Sequence, residues 1–161
     1  MTPTCLLLDL DGTLVDSASG ITAGVATALA ALGVPVPDAD TLRSFVGPPM
    51  YQTFREVIGL DEPTAQQALR LYRADYAEYG ALASTVYDGV LALLEVLATA
   101  GLPMAVATSK IEDQAVRITE HHGLAPYLVA VCGTSDAEGR HTKQDVIQHC
   151  LQECLVSPPR S

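Results

Sequence analysis

Tryptophan is absent from this 161-residue chain and phenylalanine occurs twice, which leaves six tyrosines as its aromatic stock. Basic residues are also scarce. Nine Lys and Arg stand against nineteen Asp and Glu, and the resulting charge of -10 argues against a polyanionic partner such as nucleic acid. No apolar stretch approaches membrane-spanning length, and the N-terminus lacks the basic start and long apolar region of a secretory signal. No membrane association and a cytoplasmic location are therefore expected. Cysteine is sparse as well: Cys5, Cys132, Cys150 and Cys154 form no CxxC pair and no disulfide framework, so reduced thiols are expected. Cys150 and Cys154 lie one helical turn apart beside His149, a spacing that suits packing on a helix face better than a zinc corner.

What is present is a globular composition, 48% hydrophobic and 17% charged, which excludes disorder and allows one core with a small inserted subdomain. Residues 4 to 9 read as a fully buried strand. The period then changes. Ile21, Val25, Ala28, Leu29 and Leu32 predict a helix over about 18–32, and Asp38 can cap a short one through Phe45, broken by Gly47-Pro48-Pro49. Met50, Phe54, Val57 and Ile58 mark another. Asp61 and Pro63 open a long helix to Gly80 whose Leu69, Tyr72, Tyr76 and Tyr79 share one packing face. Residues 17–83 thus read as a helical insertion.

From Tyr87 helix and strand alternate: a helix with an apolar face from Val90 to Ala98, a buried strand at 104–107, a helix over about 112–122, a third strand at 128–132, and a last helix over about 143–154. Alternation of this kind predicts an α/β fold, a Rossmann-like parallel sheet with helices on both faces, formed by residues 1–16 and 84–161. Polar residues come after all three strands: Asp9 and Asp11, Thr108 and Ser109, Thr134 and Ser135. Ligands of open α/β sheets bind at that edge.

The first of these clusters carries the most chemistry. Asp9 and Asp11 are two residues apart where an extended segment ends, so they share a face, and two carboxylates at close range call for a cation between them. Gly12 allows a sharp turn that can bring backbone N–H groups near an anion.

The string Asp9-Leu10-Asp11-Gly12-Thr13 resembles the first motif, DxDGT, of the haloacid dehalogenase superfamily, and the resemblance runs from residue 4 to about 155. It implies that Asp9 is the nucleophile, forming an aspartyl phosphate, and that Asp11 is the general acid and base. It implies a magnesium ion held by Asp9 and Asp11. Thr108-Ser109 resembles the second motif, with Thr108, Ser109 and Gly12 binding the transferring phosphoryl group. Lys143 resembles the lysine of the third motif, with Lys110 a competing candidate; Arg140 and His141 are expected on the loop surface. Residues 17–83 resemble the superfamily's cap, in which Gly47-Pro48-Pro49 and Phe54-Arg55 are similar to phosphoglycolate phosphatase-like and 5′-nucleotidase-like members; Arg55 is equally well read as a substrate contact or as a surface residue.

The implied function is a magnesium-dependent phosphomonoesterase acting on a small phosphorylated metabolite. A β-phosphoglucomutase-type phosphomutase and a catalytically silent remnant are the alternatives. One departure bears on this choice: no acidic GDxxxD string follows residue 155, although relatives carry it on a fourth strand beside the first. The α/β core is therefore expected to be incomplete at its C-terminal end, with an open edge on the first strand and low phosphatase activity.

Overall fold

A computed structural model gives the architecture and describes residues 5–156. The chain divides into two compact units. One is built from the segment up to Asp16 and from Thr85 onward, the other from Ser17–Ser84.

The first unit is a three-stranded parallel sheet in the order β1 (Leu6–Leu8), β4 (Met104–Ile111), β5 (Ala130–Thr134). Leu6 pairs with Met104, Leu8 with Val106, and Ala105 with Ala130. The central strand β4 is fully buried from Met104 to Ala107, because neighbours flank both of its edges and helices cover both faces. Cys132 packs in a cluster with Ala105, Ala107, Val146 and Cys150, the last two on helix α7 (Lys143–Val156). The next residue, Gly133, lies against Glu112 of helix α6 (Glu112–His121). Successive strand residues face opposite sides, so α6 and α7 cover opposite faces of the sheet.

Strand β1 differs from the sequence expectation. Leu6, Leu7 and Leu8 are half-buried, not fully buried, because among the described residues β1 is an edge strand with β4 on one side, the open edge that was expected for it. Strand β5 also starts later than predicted and includes Gly133 and Thr134, while Leu128 is buried just after a short turn at Ala125–Tyr127. A second pairing was not legible in the sequence. Strands β2 (Val15–Asp16) and β3 (Thr85–Val86) pair antiparallel on either side of the insertion, two residues each, too short to show any alternation. Helix α5 (Val90–Thr99) comes next.

The second unit is helical: α1 (Ala18–Ala31), α2 (Ala39–Arg43), α3 (Met50–Glu56) and α4 (Glu62–Asp75). Asp38 and Asp61 cap α2 and α4 by accepting from the amides of Thr41 and Thr64; the Thr41 amide and side chain hold the Asp38 carboxyl, and the Thr64 side chain and amide the Asp61 carboxyl, below the usual carboxylate range. The core joins Val25 and Leu29 of α1, Phe45, Phe54 of α3, and Ala65 and Ala68 of α4, with Leu69 and Tyr72 against it. The long helix predicted to Gly80 stops at Asp75 and widens into a π turn, Tyr76–Gly80. The wider turn shifts the residues beyond it around the helix axis. Tyr76 is buried, its ring 5.8 Å from that of Tyr72, but Tyr79, expected on the same face, is 63% exposed. Among the described residues no helix is long and apolar enough to cross a membrane.

Candidate active site

Because Leu8 pairs with Val106, the next residues outward, Asp9 and Ala107, emerge side by side at the carboxyl edge of the sheet. Lys143 bridges them: its Nζ donates to Asp9 Oδ1 at 2.9 Å and to the Ala107 carbonyl at 2.7 Å. The Leu10 amide donates to the same Asp9 oxygen at 2.9 Å. Both named bonds fall on Oδ1, so Oδ2 can face a ligand. The Lys143 and Asp9 side chains are 38% and 50% exposed, which leaves this anchored pair open to solvent. A groove of about 200 Å³ begins there, lined by Leu7, Leu8, Asp9, Ala107, Lys143 and Ile147.

Lys143 stands in the first turn of α7, where the helix dipole disfavours a cation. A reciprocal cap holds the turn in place. Thr142 Oγ1 accepts from the Asp145 amide at 3.1 Å, and Asp145 Oδ2 accepts from the amides of Thr142 at 3.0 Å and His141 at 3.2 Å. The Thr142 side chain, together with these backbone donors, holds the Asp145 carboxyl below the usual carboxylate range.

Asp11 lies in a tight turn. The amides of Thr13, Leu14 and Val15 all converge on the Leu10 carbonyl, at 3.2, 2.9 and 3.1 Å, and the Gly12 amide donates to the Val15 carbonyl at 2.9 Å. Gly12 has φ +78°, and a Cβ there would meet nothing within 4 Å, so the left-handed backbone and not lack of room selects glycine. Its amide closes the turn by donating to the Val15 carbonyl. Lys110 Nζ stands 3.2 Å from Asp11 Oδ1. That distance makes an ion pair to a buried carboxylate oxygen. Burial pushes the Lys110 ammonium below the ordinary lysine range, with Asp11 opposing the shift. Lys110 therefore belongs with Asp11, whereas Lys143 belongs with Asp9, a division that sequence spacing did not separate.

Thr108 and Ser109 lie where the β4–β5 register shifts, between Ala107 and Ile111. Thr108 is buried at 2% and its Oγ1 accepts from the Lys110 amide at 3.1 Å, keeping its own proton to donate. Ser109 is exposed, and its carbonyl accepts from Thr134 Oγ1 at 3.4 Å. In the helical unit, Arg55 donates to the Leu60 carbonyl at 2.9 Å, a bond that closes the end of α3.

One expectation fails outright. Arg140 is buried at 6%, not loop surface; His141 is exposed as expected and lies 3.2 Å from Asp136. Arg140 pairs with Glu112 at 2.7 Å and with Glu138, and its Nε donates to the Gly133 carbonyl at 3.2 Å. Glu112 Oε2 also accepts from the Gly133 amide at 3.1 Å. A Cβ on Gly133 would sit 2.5 Å from the Lys110 carbonyl and 2.7 Å from the Glu112 backbone, so only glycine allows this close approach. The network ties β5 to α6 and fixes the loop that leads into Lys143. The one sequence signal for it was a lone arginine in a glycine-containing loop, which fits exposure equally well.

The donor set suits a hard divalent cation in part. Asp9 offers a half-exposed carboxylate, and the bridge between Asp11 and Val15 runs through the Leu10 carbonyl and the Gly12 amide, so the carbonyl of Asp11 takes no part in it. Among the described residues no three His, Cys, Asp or Glu side chains converge as a metal cage. Magnesium keeps several waters and is commonly held through one or two carboxylates and the substrate's phosphate, so these two oxygens fit it.

The parallel sheet presents a lysine-paired carboxylate and a second carboxylate at its carboxyl edge, where open α/β sheets bind their ligands, and so defines an α/β protein of that class. The chain belongs to the haloacid dehalogenase-like hydrolase family, whose description matches residues 6–160. It is 42% identical over 158 residues to the tyrosine-protein kinase PtkA of Mycobacterium tuberculosis, covering 98% of this chain and 54% of that protein. It is 40% identical over 147 residues to a 5'-nucleotidase of Pseudomonas aeruginosa, covering 91% of this chain and 66% of that protein. Among solved structures, a haloacid dehalogenase-like family hydrolase from Streptococcus pneumoniae superposes with a TM-score of 0.83 at 31% identity, covering 98% of this chain and 72% of that one. The chain thus spans between about half and two thirds of the length of these two curated relatives.

Proposed function

We propose that this chain carries the phosphoryl-transfer centre of a magnesium-dependent phosphomonoesterase acting on a small phosphorylated metabolite, with Asp9 as nucleophile. The observation that carries the reading is the Asp9 carboxylate held by Lys143 at 2.9 Å on the strand edge, with Asp11 next to it in the same turn. Oδ2 of Asp9 attacks phosphorus while Lys143, already in contact with Oδ1, balances the charge that the phosphoryl oxygens bring. Thr108, at the register shift of the neighbouring strand β4, offers its hydroxyl as a hydrogen-bond donor to the transferring group. Asp11 protonates the leaving oxygen and then takes a proton from the water that hydrolyses the aspartyl phosphate, with Lys110 beside its carboxylate at 3.2 Å. Magnesium, held by the Asp9 carboxylate and the Asp11 carbonyl, would supply charge stabilisation to the phosphoryl oxygens. Phosphoglycolate and nucleoside monophosphates are the candidate substrate classes, in keeping with the names of the relatives.

Transfer to an acceptor other than water is the second reading, and the 42% identity to a protein named a tyrosine kinase favours keeping it. Both readings need a phosphoryl group on Asp9. The test is an acid quench after incubation with magnesium and phosphoglycolate, sugar phosphates or nucleoside monophosphates, combined with peptide mass mapping and measurement of free phosphate. A phosphorylated Asp9 peptide with phosphate release, both abolished in Asp9→Asn, is expected. Release that survives Asp9→Asn overturns the proposal, and phosphate passed to a second hydroxyl compound in place of water selects the transferase reading.

A further inference from the structure

The four cysteines, dispersed in sequence, come together in the fold. Cys132 of β5 and Cys150 of α7 are core residues of the cluster between sheet and helix, and Cys5 and Cys154 pack against it. The sulfurs of Cys5 and Cys154 stand 2.7 Å apart, although 149 residues separate them in sequence. They do not make a metal cage with a third ligand among the described residues. Cys132 and Cys150 are 1% and 0% exposed and so shielded from solutes, whereas Cys5 and Cys154 are half-buried and open to a small one. Both are free thiols in this structure.

We propose that Cys5 and Cys154 form an oxidant-sensitive dithiol site, which a hydroperoxide converts into a disulfide tying the start of β1 to the last turns of α7. In the first step one thiolate attacks a peroxide oxygen, the O–O bond breaks, and the sulfur becomes a sulfenic acid while water leaves, if the oxidant is hydrogen peroxide. In the second step the other sulfur attacks the sulfenyl sulfur, its proton departs with the hydroxyl as a second water, and the S–S bond forms. Two thiols lose two electrons and one peroxide is reduced. Burial, and then the contact with Cys5, pushes the Cys154 thiol up to about 12, which keeps its proton in place.

The position of the crosslink gives it a consequence. Strand β1 leads from Cys5 to Asp9, and α7 leads from Lys143 to Cys154. The two elements meet at both ends, Cys5 with Cys154 and Asp9 with Lys143, so they run in opposite directions. A disulfide there would fix the edge strand to the helix that supplies its partner lysine, and would close nearly the whole chain into a loop, which restricts the unfolded state.

The test needs no substrate and so stands apart from the proposed phosphatase chemistry. Reduced protein is treated with hydrogen peroxide, its remaining thiols are alkylated, and the unreduced digest is mapped by mass spectrometry. A peptide pair joining Cys5 to Cys154, lighter by two hydrogens and released by dithiothreitol, is expected, together with a higher Tm for the oxidised than for the reduced protein. Cys5→Ser and Cys154→Ser should each lose both the crosslink and the Tm shift, and circular dichroism will report whether each variant is folded. The wild-type map decides the matter even if a variant is not. A crosslink between Cys132 and Cys150 instead, oxidation of Cys5 to sulfinic acid without a crosslink, or no change at all would each overturn the proposal.

Discussion

Ser17–Ser84 gathers Val25, Leu29, Phe45, Phe54, Ala65 and Ala68 into one buried cluster, and its exposed apolar residues, Val36, Val57 and Tyr79, are scattered. The α/β unit buries Met104, Ala105, Val106 and Ala107 on β4, yet leaves Leu91, Leu93 and Val96 of α5 and Leu151, Leu155 and Val156 of α7 exposed. Its strand β1 has, among the described residues, a neighbour on one edge. The physical difference lies in the backbone. A helix satisfies its own N–H and C=O groups, so a helical unit closes once side chains meet, whereas a sheet is complete when its edges are paired or covered as well. Both candidate carboxylates lie on or just after that edge strand. The half-exposed Asp9–Lys143 pair beside an open groove results from the same geometry.

Phe54→Ala should break this contrast most severely. Removing a fully buried ring from the helical core is expected to destabilise that unit by about 3–5 kcal/mol, measured by urea unfolding. Hydrogen exchange should then rise over residues 17–84 and stay unchanged on β4; a uniform rise would show that the two units unfold as one. A smaller loss, about 2 kcal/mol, is expected for Arg140→Met, which removes charged hydrogen bonds to Glu112 and the Gly133 carbonyl. Here protection should fall on β5 and α6 and not in the helical unit. The smallest effect is predicted for Thr142→Ala, about 1 kcal/mol at neutral pH from the lost cap. This last case has a pH signature. The carboxyl of Asp145 is depressed when folded, so its contribution is present above the unfolded value of about 3.9 and is lost as pH falls through the lower folded one. The stability gap between Thr142→Ala and wild type should therefore narrow toward acid; a gap constant with pH would show that Asp145 does not act through Thr142.

Much of the site was legible because its residues are contiguous. Asp9, Asp11 and Gly12 fall in one short string after an apolar run, and Thr108 with Ser109 comes after another. Lys143 was legible from its place at the start of a helix after a loop, and the Thr142–Asp145 cap has the local form of a threonine three residues before an acid. The pairing of lysines with carboxylates was not legible, because Lys110 and Lys143 are equally good cations in sequence. Only the register of β1 on β4, and the crossing of α7 over β4, bring Lys143 to Asp9 and leave Lys110 beside Asp11.

Local pattern dictated the order of the helices and of the three parallel strands, the helical insertion after the first strand and the carboxylates at the strand end, since these depend on period, turn residues and neighbours along the chain. Packing in three dimensions settled the features that long separations conceal: the burial of Arg140, the turn of Tyr79 toward solvent past a π turn, the half-burial of β1, and the meeting of Cys5 with Cys154. Each of these depends on which surfaces meet in space, and residue order along the chain carries no record of that.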